Sequence, residues 1–254
     1  MELDLAPVQV FKVSGTDLDD PAFSQRFAAC IAGVVKSGAR PIVVHGGGKE
    51  LTALLKAFQI ESRFIDGLRV TDARTRDAAL MSLSGLTNKR LVAALLSAGV
   101  DALGVSGLDA GLVRVAKVDD ALQYVGKPVN MRAALINAWI AEGLTPVISP
   151  MSIGNDGEIY NVNADHVAGA IAAGIDAAML TFITNVPAVL GKDGSPIANL
   201  SALETQELLA DGTISGGMIP KVNTALEALT SGVKHVRITN LEGVGAGTGT
   251  TFSQ

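Results

Sequence analysis

Residues 41–51, PIVVHGGGKEL, constrain this chain more than any other stretch. Residues 41–44 form a short apolar run that reads as a buried strand breaking at His45. Three glycines follow, and a helix opens at about Lys49. A strand that feeds a glycine run at a helix N-terminus is a general way to hold an anion. Glycines let backbone N–H groups approach the ligand, and the helix end adds about half a positive charge. The glycine run alone is weak evidence. It gains weight because charged and glycine-bearing turns recur at the ends of other predicted strands.

Those strands alternate with helices. A strand is expected at residues 8–13, ending in the turn Ser14-Gly15-Thr16. Asp20 before Pro21 marks a helix start, and Gly38 its end. A hairpin region covers residues 64–71 with its turn at Asp66-Gly67, and Asp72 caps a long helix to about Ser97, bent near Gly85. A strand at 100–104 precedes two short strands, 112–115 and 122–125, read as antiparallel and close to the surface. The alternation then restarts: helix 131–142, strand 145–148, hairpin turn 155–157, strand 159–162, helix 165–173 and strand 177–183. A helix at 218–230 and a strand at 234–239 follow. The pattern predicts an α/β fold, a three-layer αβα sandwich around a mostly parallel open sheet with ligand at the strand C-terminal ends.

Composition bounds the function. At 254 residues and 48% hydrophobic, the chain makes one large domain or two lobes sharing a sheet. A net charge of −5 argues against nucleic acid or an anionic membrane as partner. The lone Cys30 excludes an internal disulfide framework and suits a reducing, cytoplasmic setting. The start MELDLAPVQVFK lacks the pattern of a signal peptide, and the apolar run 167–180 is too short to span a membrane. A P-loop is excluded because Glu50 follows Lys49, and Gly243, Gly245, Gly247 and Gly249 have the wrong spacing for a dinucleotide fingerprint. No metal-ligand spacing stands out, and Ser106 lacks the glycines of a nucleophile elbow.

Separate loops carry the remaining chemistry. Lys12 sits at the end of the first strand, where it either snorkels or meets an anion. Arg69 lies between Leu68 and Val70 in an apolar strand, which calls for an anionic partner. Asp165 opens a helix and by itself reads as a first-turn acid. Lys221 sits in a first helical turn after Gly216-Gly217, where a cation opposes the helix dipole and wants an anion nearby. His45 reads as bonded to backbone, not as a base, and His166 and His235 suggest nothing specific.

Together these segments carry a resemblance. Lys12-Val-Ser-Gly15, His45-Gly-Gly-Gly48, Gly67-Leu-Arg-Val-Thr-Asp72, Asn161-Val-Asn-Ala-Asp165 and Gly216-Gly-Met-Ile-Pro-Lys221 resemble the N-acetylglutamate kinases of the amino acid kinase superfamily. The resemblance spans about residues 8–239 in order. It implies an N-terminal lobe, 1–150, that binds the acyl amino acid and dimerises, and a C-terminal lobe, 151–254, that binds ATP. It implies that Lys12 and Lys221 neutralise the transferring phosphoryl group and that Asp165 orients both lysines. Gly47 and Gly48 would meet the γ-phosphate and the reacting carboxylate, while Arg69 and Asn161 hold the α-carboxylate. Gly15, Thr184, Asn185, Gly217 and Met218 would complete the ATP site, with Mg²⁺ on the phosphates and few direct protein ligands.

Three departures from the family pattern stand out. Ser14 replaces a glycine, Asn185 replaces an acid, and residues 241–250 are expected to lack the family's closing helix. Two neighbouring activities of the same fold are a kinase for carrier-protein-linked aminoadipate and a non-catalytic amino acid sensor. Because only MELDLAP precedes the first strand, a homodimer insensitive to arginine is expected, with a helical stripe of Ala79, Leu80, Leu83 and Leu86 at its interface.

Overall fold

The computed structural model describes residues 6–14, 18 and 20–254. Its main sheet has eight strands. Their order is β12 (Asn199–Ser201), β14 (Thr250–Ser253), β13 (His235–Thr239), β11 (Met179–Ile183), β1 (Val8–Val13), β2 (Arg40–His45), β8 (Thr145–Ser149) and β5 (Ala102–Ser106). Every neighbouring pair is parallel except β13 with β14. From β1 the order runs outward both ways, through β2, β8 and β5 from the first part of the chain and through the later strands on the other side. In a sheet of this kind, ligands bind outside the strand C-termini where the order reverses, so β1 and its neighbours define the place to look.

The sheet is buried on both faces, which the period-2 side-chain alternation of a strand makes possible. Val10, Ile42 and Val44 pack into one core with Ile136 of α4 (Ala133–Ala141), Ile171 of α5 (Ala164–Gly174) and Val222 of α7 (Ile219–Thr230). Phe11, Val13 and Val43 face the other way, onto Phe27 and Ile31 of α1 (Pro21–Lys36) and Leu91 and Leu95 of the helix Asn88–Ser97. Each such buried side chain stabilises by about 1.5–3 kcal/mol relative to exposure. Helix starts follow the expected caps: the Ala22 N–H donates to Asp20 Oδ1 at 2.9 Å, and the Thr75 N–H to Asp72 Oδ1 at 2.7 Å.

The helix after Asp72 does reach Ser97, but as three joined pieces, together α3: an α-helix Ala73–Ala79, a π-helix Leu80–Thr87 and an α-helix Asn88–Ser97. The wider π-turn lies against α2 (Gly48–Ala57). Ala79 and Leu83 are buried there with Leu51 and Leu55 in a third core. This corrects the expected dimer stripe: Ala79 and Leu83 are consumed inside the chain, Leu80 packs partly against the same core, and of the stripe Leu86 stays outward at 47% exposure, near Met81 at 57%.

Two further expectations are corrected. The strands foreseen at 112–115 and 122–125 lie at β6 (Val113–Lys117) and β7 (Val125–Met131). They are antiparallel as expected, but with β9 (Ser152–Gly154) and β10 (Ile159–Val162) they close a four-stranded barrel. Val113, Val115 and Val125 are buried, the first two in the same core as Val10 and Ile42, so this is not a surface ribbon. The closing helix is also present. Asn240 accepts the Gly243 N–H at 2.9 Å and starts α8 (Leu241–Ala246), and β14 then returns antiparallel to β13. Two glycines of this stretch are required by close approach: a Cβ on Gly243 or Gly249 would run into Thr239. Of the expected turn Ser14-Gly15-Thr16, Gly15 and Thr16 lie outside the described residues, as does most of the MELDLAP segment. Among the described residues no helix is long and apolar enough to cross a membrane.

Candidate active site

Strand geometry places the first lysine. In β1, Phe11 and Val13 point to the α1 layer, so Lys12 emerges on the opposite face, beneath the N-terminus of α5. Asn163 caps α5 by accepting the Asp165 N–H at 2.9 Å, which sets Asp165 in the first turn. A carboxylate there is favoured by the helix dipole. Lys12 Nζ lies 2.8 Å from Asp165 Oδ1, with the side chains 17% and 22% exposed. The pair is therefore partly desolvated yet open to a ligand on one side.

That side is a cleft of about 350 Å³ whose lining includes Lys12, Ser14, Asp165, Thr184, Asn185 and Lys221. Thr184 and Asn185 follow β11, next to β1 in the sheet. The Thr184 N–H donates to the Thr239 carbonyl at 2.8 Å, and its Oγ1 accepts the Val186 N–H at 3.2 Å, so this turn is held from both ends. Lys221 sits in the first turn of α7, after a 3-10 turn, Gly216–Met218. Its ammonium turns back to donate to the Gly217 carbonyl at 3.1 Å. Among the described residues that line it, two cations thus face one cleft with a single carboxylate, Asp165. Such a cleft suits a polyanion.

The glycine loop ends β2 next door. The Gly46 N–H donates to the Val13 carbonyl at 3.1 Å, tying the loop to the end of β1. Gly47 is buried and Gly48 exposed at the start of α2, where no side chain caps the helix. A Cβ on Gly47 would run into Leu83 and Thr87 of the π-turn, so glycine is needed for this close approach.

Arg69 lies in a short hairpin of β3 (Phe64–Ile65) and β4 (Leu68–Arg69). Its guanidinium donates to Ser62 Oγ at 2.6 Å, Thr52 Oγ1 at 2.8 Å and the Gly48 carbonyl at 3.3 Å, and it stands 4.6 Å over the Phe64 ring. Each of these partners is neutral, so the charge is oriented without being cancelled. Burial pushes its pKa down, but a guanidinium stays protonated at any physiological pH. Asn161 of β10 donates to Thr71 Oγ1 at 3.2 Å, and Thr71 Oγ1 donates to the Arg69 carbonyl at 2.8 Å. The fully buried Thr71 therefore links the two residues expected at one carboxylate.

The structure thus gathers Lys12, Asp165, Lys221, Thr184 and Asn185 around one cleft, and joins Arg69, Gly48 and Asn161 through hydrogen bonds beside it. Gly47 and Gly48 lie at the neighbouring loop, outside the cleft lining. Gly217 contributes its carbonyl to Lys221 and is exposed, while Met218 packs at the edge of the larger core. Gly15 lies outside the described residues. Sequence reasoning passed over Phe182 and Thr224, which also line the cleft. Thr224 had a legible signal, three residues after Lys221 on one helix face; Phe182 had none, being one apolar residue in an apolar strand.

The chain matches the amino acid kinase family over residues 7–240. It belongs to the amino acid kinase family. Within that family its relatives include acetylglutamate kinase from Roseiflexus sp. (strain RS-1), 48% identical over 95% of this chain and 92% of the relative. Acetylglutamate kinase from Chloroflexus aurantiacus (strain J-10-fl) is 44% identical, covering 98% of both chains. Among solved structures, smu.665 from Streptococcus mutans UA159 superposes with a TM-score of 0.81 at 28% identity, covering 97% of this chain and 98% of that one. Carbamate kinase from Giardia lamblia bound to AMP-PNP shares the fold, with a TM-score of 0.75 at 16% identity over 99% and 100% of the two chains.

Proposed function

We propose that this amino acid kinase transfers the γ-phosphoryl group of ATP to the side-chain carboxylate of N-acetyl-L-glutamate, giving N-acetyl-L-glutamyl 5-phosphate, a step of arginine biosynthesis. The observation that carries the reading is the Lys12–Asp165 pair at 2.8 Å in a cleft that also receives Lys221. The close likeness to acetylglutamate kinases along the whole chain supports the substrate.

The chemistry asks for what these residues offer. A carboxylate, with a pKa of about 4.3, is already ionised near neutral pH, so the nucleophile needs no general base. The barrier is the approach of two anions, and positioning with positive charge lowers it. In this reading Lys12 and Lys221 stabilise the charge on the transferring group. Asp165 holds the Lys12 ammonium and does not react. N–H groups of Gly47 and Gly48 meet the γ-phosphate and the attacking carboxylate. Arg69 and Asn161 hold the α-carboxylate. Thr184, Asn185, Gly217 and Met218 border the nucleotide, Ser14 and Asn185 being this chain's own variations at its rim.

Among the described residues no three His, Cys, Asp or Glu side chains gather to hold a metal ion. Among the described residues lining the cleft the one carboxylate, Asp165, is already paired with Lys12. Mg²⁺ therefore fits this site as an ion carried by the ATP phosphates, where it neutralises charge.

In the same reading residues 1–150 hold the amino acid and residues 151–254 the nucleotide, the enzyme works in the cytoplasm, and two copies associate. The exposed Met81 and Leu86 on α3 support the last point as a surface for a twin across a two-fold axis. The test of function is acyl-phosphate trapping with hydroxylamine, using N-acetylglutamate, glutamate, aspartate and aminoadipate in parallel. Trapping above background with N-acetylglutamate alone is the expected result. Preference for another acid, or no turnover of ATP, would refute the reading.

A further inference from the structure

His45 is fully buried at the end of β2, one residue before the glycine loop, and the reaction proposed above makes no use of it. Its ring is held on both sides. Nδ1 lies 2.8 Å from the Gly46 carbonyl, and Nε2 lies 3.1 Å from Asn88 Nδ2. A carbonyl only accepts, so Nδ1 carries the proton and donates. Asn88 is itself fully buried, and its Nδ2 also donates to the Val147 carbonyl at 2.9 Å and the Val105 carbonyl at 3.3 Å. Its Oδ1 accepts from Lys89 Nζ at 3.1 Å, which fixes the amide so that Nδ2 faces His45. Nε2 is then on the acceptor side, and a neutral imidazole protonated at Nδ1 fits both ring contacts, the two Asn88 Nδ2 hydrogens being shared among Nε2 and the two carbonyls. Burial pushes the imidazole pKa down to about 4, consistent with that neutral state.

The consequence lies in the next peptide. The Gly46 N–H is held by Val13 and the Gly46 carbonyl by His45. A trans peptide points its C=O and N–H to opposite sides. Fixing the Gly46 carbonyl toward the buried imidazole therefore aims the Gly47 N–H away from it. Glycine alone would let this peptide turn over at little cost. A hydrogen-bond donor aimed in advance at developing charge costs no reorganisation during reaction. We propose that His45, braced by Asn88, is a positioning residue that locks the Gly46–Gly47 peptide so that the Gly47 N–H is pre-aimed at the transferring phosphoryl group. The inference rests on the reading that this loop meets the γ-phosphate.

Two near-isosteres separate positioning from mere packing. An Asn side chain carries its amide nitrogen the same number of bonds from the backbone as His Nδ1, so His45→Asn keeps the donor to Gly46. Gln carries its nitrogen one bond further out, as Nε2 does, so His45→Gln loses that donor. In steady-state kinetics His45→Gln is expected to lower kcat roughly 10–100-fold with little change in KM for ATP. His45→Asn is expected to recover most of that loss. If the two variants lose kcat equally, or lose only thermal stability, the inference is overturned. Should His45→Gln not fold, Asn88→Ala loosens the imidazole from its other side and is expected to lower kcat severalfold; an unchanged kcat overturns the inference. The Gly47 amide resonance in the ¹⁵N-labelled wild type tests the underlying reading. It is expected to shift with AMP-PNP and not with ADP. No AMP-PNP shift would refute the loop reading and the inference with it, whereas a normal shift with kinetically indistinguishable variants would refute the role of His45 alone.

Discussion

Two glycine-bearing turns feed helices on opposite sides of the cleft, and they are built differently. At Gly46–Gly48 the backbone is tied to Val13 and His45, Gly47 is buried, and a Cβ there would strike Leu83 and Thr87. At Gly216–Gly217 the turn is exposed, Gly216 takes a φ of 54°, and a Cβ on either glycine would meet nothing within 4 Å. One loop uses glycine for close approach to a fixed wall. The other uses it for a backbone conformation that side chains rarely adopt, with open space around it. Their cargo differs accordingly. In the proposed reading the first turn presents backbone N–H groups, which must be aimed, and the second presents Lys221, a flexible point charge that finds its own place. The comparison teaches that the same local signal, glycine before a helix, can be built as a rigid, packed turn in one place and an open one in the other.

The largest expected effect tests the adjustable side. Lys221→Ala should lower kcat by roughly 10²–10³, the range seen when one electrostatic stabiliser of a transition state is removed, with modest change in substrate KM. Turnover close to wild type would detach Lys221 from the chemistry and leave the open turn without its cargo.

The rigid side is probed by pH. The folded pKa of His45 is depressed to about 4 against an ordinary 6.5. The unfolded chain therefore binds the proton first as pH falls. The stability of the neutral imidazole is fully present above about pH 6.5 and is lost between there and about pH 4, roughly 3 kcal/mol in all. Thermal unfolding from about pH 7.5 down to about pH 4.5 should show this fall in wild type and a flatter profile in His45→Asn. Equal slopes would mean that the imidazole is not buried in its neutral form.

Alanine substitutions then set the turns directly against each other. Gly47→Ala should cost about 1–3 kcal/mol by overpacking against the π-turn, read as a drop in Tm together with kcat. Gly217→Ala should stay within about 0.5 kcal/mol of wild type. Reversed effects would invert the comparison.

Arg69 touches the rigid loop through the Gly48 carbonyl. Arg69→Lys keeps the charge and loses the bidentate fork, so the KM for the amino acid should rise about tenfold while that for ATP changes little. An unchanged amino-acid KM would make Arg69 a brace for the loop and not a ligand for the substrate.

Most of this architecture was legible in the sequence, and the parts that were not share a cause. The parallel sheet, the caps at Asp20 and Asp72 and the glycine turn after β2 are signals acting within a few residues. A strand buried on both faces must be continuously apolar, and a cap must sit next to its helix. Lys221 was legible as a cation in a first helical turn that wants an anion, and Lys12 as a charge at a strand end, whereas Asp165 by itself read as a first-turn acid and only the resemblance set it beside the lysines. Tertiary structure alone decided the rest. Closure of β6, β7, β9 and β10 into a barrel pairs segments dozens of residues apart. Consumption of Ala79 and Leu83 by α2 depends on where a distant helix lies. The helix α8 forms in a glycine-rich stretch because packing against Thr239 requires small residues there. The other side of the His45 ring is met by Asn88, on a helix 43 residues away. Local propensity and spacing specify elements, but which side chains meet across the fold is settled by packing.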